Sequence, residues 1–201
     1  GVLDAMRSVP RHQFVEPALS SRAYEDVALP IGHAQTISRP FTVARMLELL
    51  VAPLDDAARA TARVLEIGTG CGYQAAVLAR LVGEVISIER IRGLHDQARA
   101  NLRPMRLANL RLVFGDGQMG VAQAAPYDLV IANILAGPLL DLADTFRFAV
   151  KSGGRALLSG LLLEQAEMIV AAYGRCNFTV ERHIDLETGG AWWRTLLLKR
   201  A

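Results

Sequence analysis

The stretch Val64–Tyr73, VLEIGTGCGY, decides the fold. A short run of aliphatic residues leads straight into Gly68, Gly70 and Gly72, and a helix-compatible segment, Tyr73–Leu81, follows. Glycines at the carboxyl end of a buried strand let the chain turn tightly and let its backbone approach a ligand closely. In an open α/β sheet, that is where ligands bind. The spacing is GxGxG. Tyr73 stands where the dinucleotide fingerprint GxGxxG would place its last Gly or Ala.

Outward from this unit, strands and helices alternate. The pattern predicts strands at Arg63–Ile67, Glu84–Ile88, Leu110–Phe114, Tyr127–Ala132 and Arg155–Ser159. Helices are expected at Leu94–Leu102, Pro138–Val150 and Glu164–Tyr173. Strands joined by helices imply a parallel sheet with right-handed crossovers. Phe178–Ile184 and Trp192–Leu198 are separated only by Asp185–Ala191, too short for a helical crossover, so they should form an antiparallel hairpin. Upstream, a short helix near Val2–Val9 precedes irregular, proline-punctuated chain up to residue 35. Ser38 followed by Pro40 reads as the start of a helix over Phe41–Val51, with Ser38 as its cap. Leu54–Ala62 reads as a connector. The expectation is one Rossmann-like α/β domain over residues 1–201 with a mostly parallel seven-stranded sheet. It comprises a helical cap and substrate segment (1–53), a cofactor-binding half (62–126) and a second half (127–201).

Composition narrows the class. Hydrophobic residues make up 52% and charged residues 21% of the 201, which suits a globular chain with a sizeable core. A net charge of +2, with no dense run of Lys or Arg, does not point to nucleic acid. Apolar runs are strand-sized and broken by glycine, so no membrane span is expected. Cys71 and Cys176 are far apart and outside any CxxC pair, which argues against structural zinc and for a reducing, cytoplasmic setting. The opening segment lacks the pattern of a signal peptide. His12, His33, His95 and His183 show no metal-ligand spacing, so no metal is expected.

Three acidic residues fall at the carboxyl ends of successive strands. Glu66 precedes Gly68 by two residues and can hold a positive charge, directly or through water. Glu89 comes 21 residues after Gly68, where a carboxylate can accept hydrogen bonds from ribose hydroxyls. Asp116, followed by Gly117, can accept from an adenine amino group, although Asp-Gly is also a common turn pair. Without a pyrophosphate fingerprint, this set favours S-adenosyl-L-methionine, which presents an amino acid, a sulfonium and a nucleoside. A nicotinamide oxidoreductase is disfavoured. The candidate cofactor residues are Glu66, Gly68, Thr69, Gly70, Gly72, Glu89, Arg90, Asp116 and Gly117, with Asn133.

Two stretches carry family resemblances. From about Met6 to Pro126 the chain resembles protein-L-isoaspartate O-methyltransferase, through VPRHQFV (Val9–Val15), AYEDVALPIGHAQTIS (Ala23–Ser38), the glycine motif and VISIER (Val85–Arg90). That resemblance implies that Thr36 and Ser38 lie beside a methyl-accepting carboxylate on an isoaspartyl protein or peptide. The second half reads YDLVIANILAGPL (Tyr127–Leu139) and then SGGRALLSGLLLEQAEMIVAAY (Ser152–Tyr173), and resembles a methyltransferase that modifies lysines of a ribosomal stalk-base protein. That resemblance implies that Asn133 can orient an acceptor amine. The two together suggest a hybrid joined between Asp116 and Asp128. Three functions follow: an isoaspartyl carboxyl methyltransferase, an amine methyltransferase, or a folded hybrid with little or no turnover. Nothing in the sequence sets the oligomeric state.

Overall fold

The computed structural model describes residues 1–117 and 125–201. Part of the expected hybrid junction, residues 118–124, lies outside these. Among the described residues the main sheet has seven strands. In chain order they are β3 (Arg63–Ile67), β4 (Glu84–Glu89), β5 (Leu110–Phe114), β6 (Tyr127–Asn133), β7 (Val150–Leu162), β8 (Phe178–Thr188) and β9 (Ala191–Arg200). Their spatial order is β5-β4-β3-β6-β7-β9-β8. The pairs β3–β4, β3–β6, β4–β5 and β6–β7 are parallel, while β9 runs antiparallel to both β7 and β8. This is the expected parallel sheet closed by a hairpin, which turns through Gly189 and Gly190.

Strand alternation divides the core. Val64, Val85, Leu129 and Ile131 face one side of the sheet. There they meet α1 (Val2–Arg7), α2 (Pro40–Val51), α4 (Tyr73–Ala79) and α5 (Arg92–Leu102). Leu65, Ile67, Ile86, Val130 and Ala132 face the other, against α6 (Ala136–Asp141), α7 (Ala143–Ala149) and α8 (Ala166–Arg175). Each cluster mixes residues from before and after the expected junction: Leu157 and Leu197 join the first, while Leu65 and Ile86 join the second. At the base of the sheet, Asp128 bridges the halves. It accepts from the Arg63 N–H at 2.8 Å and pairs with Lys151 at 2.7 Å. Phe146 is buried against Tyr173, edge to face at 5.3 Å, whereas Phe148 is exposed.

Several local expectations are corrected. The irregular segment expected up to residue 35 ends in a small antiparallel hairpin, β1 (Leu29–Gly32) with β2 (Gln35–Ile37), which the prolines and glycines hid. Leu54–Ala62 contains a helix, α3 (Asp56–Thr61), capped by Asp55 accepting from the Ala58 N–H at 2.8 Å. The single helix expected over Pro138–Val150 is two, broken at Leu142, which ends the first and caps the second (φ −90°, ψ −3°). The residue thought to end that helix, Val150, opens β7 instead. Ser38 does not cap α2: the cap position is Arg39, and the Phe41 N–H bonds to the Asp26 carboxylate at 2.9 Å.

Candidate active site

A cavity of about 530 Å³ opens at the carboxyl ends of β3, β4, β5 and β6. Its size lies within the usual range for small-molecule sites. The glycine loop forms one wall. Gly68, Gly70 and Gly72 all adopt positive φ (94°, 56° and 92°), a region that side chains rarely tolerate. Their reasons differ. Gly68 and Gly70 line the cavity, with Thr69 between them. Gly72 does not; it opens α4 in the left-handed conformation, and a Cβ there would lie 2.9 Å from Leu102 of α5. Within the expected cofactor set, Gly72 thus supports helix packing behind the loop.

Glu89 ends β4 and fixes the loop from below. Its Oε2 accepts from the Gly70 N–H and its Oε1 from the Ile91 N–H, each at 2.9 Å. The carboxylate lines the cavity, and each oxygen keeps a lone pair for a further donor. Arg90, Asp116 and Gly117 line the same end. Glu66 does not reach the cavity. It is buried under the loop, where Oε1 accepts from Gln74 Nε2 at 2.9 Å and Oε2 accepts from the Ser87 hydroxyl. Ser87 in turn pairs with Thr69 Oγ1 at 2.6 Å. Glu66, expected to hold a positive charge directly or through water, is linked to the cavity by Gln74, which lines it. Burial pushes the Glu66 carboxyl up to about 7, although the Ser87 and Gln74 hydrogen bonds act the other way.

The opposite wall comes from distant segments. Thr36 and Ser38, from β2 and the turn after it, face Asn133 at the end of β6. Asn133 Nδ2 donates to Ser38 Oγ at 2.9 Å, a bond between residues 95 positions apart. Arg11 holds the same segment from behind. It is buried, donates Nε to the Ala23 carbonyl and Nη2 to the Ser38 carbonyl, each at 2.7 Å, and lies over the Tyr73 ring. Sequence reasoning missed three contributors. Gly160 of β7, with φ +81°, packs against Asn133, where a Cβ would lie 3.2 Å from Oδ1. Trp193 of β9 closes one side, and Gln74 links the cavity to Glu66. For Gly160 and Trp193 no signal could have been read, because only strand pairing brings β7 and β9 to the mouth.

Known proteins place this arrangement. A family model for protein-L-isoaspartate(D-aspartate) O-methyltransferase matches residues 1–159, running through the expected junction. A relative from Cupriavidus necator, protein-L-isoaspartate O-methyltransferase 2, is 57% identical over 162 residues, covering 78% of this chain and 50% of its own length. The chain spans about half the length of the curated relatives it matches. A solved protein-L-isoaspartate O-methyltransferase superposes with a TM-score of 0.62 at 30% identity, over 79% of this chain and 50% of that one. The ribosomal protein L11 methylase of Lactobacillus delbrueckii subsp. bulgaricus superposes at 0.63 with 20% identity, over 80% of each chain, a likeness of fold alone. The fold is that of the class I methyltransferases. With the family model covering most of its length, the chain belongs to the protein-L-isoaspartate(D-aspartate) O-methyltransferase family.

Proposed function

We propose that this chain is an S-adenosyl-L-methionine-dependent methyltransferase that acts on the carboxylate of L-isoaspartyl residues in proteins or peptides. The observation that carries the reading is the Asn133–Ser38 hydrogen bond across the mouth of the cavity. Because Ser38 Oγ accepts from Asn133, its own hydrogen is free to donate to an incoming carboxylate. A carboxylate is ionised at neutral pH and needs no general base, which fits a wall of hydroxyl and amide groups. An amine acceptor would have to lose a proton first, and the Asn133 amide can hold an amine but cannot take that proton.

The residues fit the cofactor. Gly68–Gly70 offer backbone at close range, the Glu89 carboxylate has acceptor capacity left, and Asp116 stands at the end of β5. When bound, S-adenosyl-L-methionine supplies an activated methyl group. The protein then mainly contributes proximity and alignment. Thr36 and Ser38 would orient the acceptor carboxylate. Asn133 would position Ser38, and Trp193 would exclude water from one side. The partner is an isoaspartyl polypeptide, and a cytoplasmic setting remains the reading of the cysteine pattern. A hybrid origin rests on the resemblance carried by Tyr127–Leu139 and Ser152–Tyr173, and an amine acceptor on Asn133 within the first of these stretches.

The test is transfer of a labelled methyl group to an isoaspartyl peptide, with the aspartyl peptide as control. Base-labile label on the isoaspartyl peptide alone is expected, and it should fall at least tenfold in Ser38→Ala/Thr36→Val. Base-stable label would establish an amine acceptor. No label, with cofactor still bound, would leave a folded hybrid without turnover.

A further inference from the structure

The edge of the sheet farthest from the hairpin carries a second built surface. Between the end of α5 and the start of β5 runs an open groove of about 700 Å³. Its floor is apolar, made by the half-buried Leu107, Leu110 and Leu112. Its rim is cationic: Arg99, Arg103, Arg106 and Arg111 are all exposed. Among the described residues none of these four pairs with a carboxylate. Residues 90–111 hold six arginines against one acid, Asp96, in a chain whose 22 basic and 20 acidic residues otherwise nearly balance.

Two features show that the charge is held against local preference. Arg99 and Arg103 stand four apart at the end of α5, a like-charge spacing that weakens a helix. Arg106 takes a left-handed backbone (φ 49°, ψ 47°), where glycine would sit without strain. The groove also borders an open sheet edge. Within the described residues β5 pairs only with β4, so its outer backbone groups are available to another strand.

We infer that this groove docks an extended, acidic segment of a partner polypeptide, which adds to the outer edge of β5 and sets its carboxylates against Arg99, Arg103, Arg106 and Arg111. Strand addition supplies main-chain hydrogen bonds, and alternate side chains then point one way to the leucine floor and the other to solvent and the rim. The apolar floor distinguishes this occupant from a nucleic acid, which would call for aromatic stacking platforms. Phe114, at the far end of β5, is not among the residues that line the groove, and Arg92 lies over its ring at 4.1 Å. The groove is separate from the methyl-acceptor wall, and the inference does not depend on the proposed activity.

The probe is a fluorescein-labelled peptide of alternating glutamate and valine, about ten residues long, the span of a long strand. The controls are the lysine–valine peptide and a single-stranded RNA of the same length. The expected result is saturable binding of the acidic peptide alone, weakened at least tenfold by raising salt from about 0.05 to 0.5 M. Amide exchange over Leu110–Phe114 should slow on binding. Arg103→Gln/Arg106→Gly/Arg111→Gln should weaken binding at least tenfold. Arg106→Gly alone should fold as well as the parent, because it relieves the left-handed residue, and still bind more weakly. Absence of binding, tighter binding of the RNA, unaltered affinity in the triple variant, or self-association through this edge would each overturn the inference.

Discussion

The two walls of the cavity are built in opposite ways. The wall that faces the proposed cofactor is local: Gly68, Thr69, Gly70 and Glu89 lie within 22 residues and are held mainly by backbone geometry. The wall that faces the proposed acceptor is assembled from side chains of Thr36, Ser38, Asn133 and Trp193, drawn from four separate strands or turns. The difference teaches that one wall is set as soon as β3 and β4 pair, while the other exists only when the cap, β6 and the terminal hairpin are all docked. Variants can separate them.

The largest effect is expected at Arg11, which ties the cap to the acceptor wall. Arg11→Met removes charged hydrogen bonds to the buried Ala23 carbonyl and the partly buried Ser38 carbonyl. A loss of about 3–5 kcal/mol of stability is expected in urea unfolding. At permissive temperature the variant should lose methyl transfer while cofactor affinity changes little. Equal loss of both would mean that the walls are not separable.

The Glu66 carboxyl gives the local wall a pH signature. Its folded value of about 7 lies above the ordinary 4.5, so between those values the folded state holds a proton that the unfolded chain has released. Stability contributed by this group is therefore greatest below about 4.5 and falls as pH rises to about 7, by about 3 kcal/mol in all. Glu66→Gln should abolish that slope and raise the melting temperature at pH 8. An unchanged slope would show that another group carries it.

Gly72→Ala should cost about 2 kcal/mol, because it forces a side chain into a left-handed residue and against Leu102. It should weaken cofactor binding only indirectly, less than Gly68→Ala, whose Cβ would lie 3.0 Å from Ile134 in the cavity wall. Calorimetric titration of the two variants checks the order.

The smallest effect is expected at Asp128, at the base of the sheet and far from both walls. Burial pushes this carboxyl up, but the Arg63 N–H and Lys151 outweigh it and hold it below its ordinary value. Its contribution is therefore present above the unfolded value and lost as pH falls through the folded one. Asp128→Asn should cost about 1 kcal/mol at neutral pH and less in acid, with methyl transfer unchanged.

Much of this was legible in the residues. The apolar runs of β3, β4 and β6 alternate with helical segments, and the glycine motif, Glu89 and Asp116 mark strand ends by spacing alone. Glu66 looked like a ligand-facing carboxylate because position along the chain does not say which face of a strand end is open. Its side chain turned inward to Ser87 and Gln74. The six arginines of residues 90–111 did not read as a block, being spread over a helix, a turn and a strand that only the fold draws together.

What the sequence determined by itself is the class of fold and the local cofactor wall. Hydrophobic period, turn glycines and strand-end carboxylates act over a few residues, where backbone sterics and alternation leave few choices. What only the tertiary structure decided is the acceptor wall: the Asn133–Ser38 bond, the Arg11 tether, and the arrival of Gly160 and Trp193 at the mouth. Those contacts depend on strand order and on the docking of the cap. They are fixed by the packing of two shared cores, which no local pattern encodes.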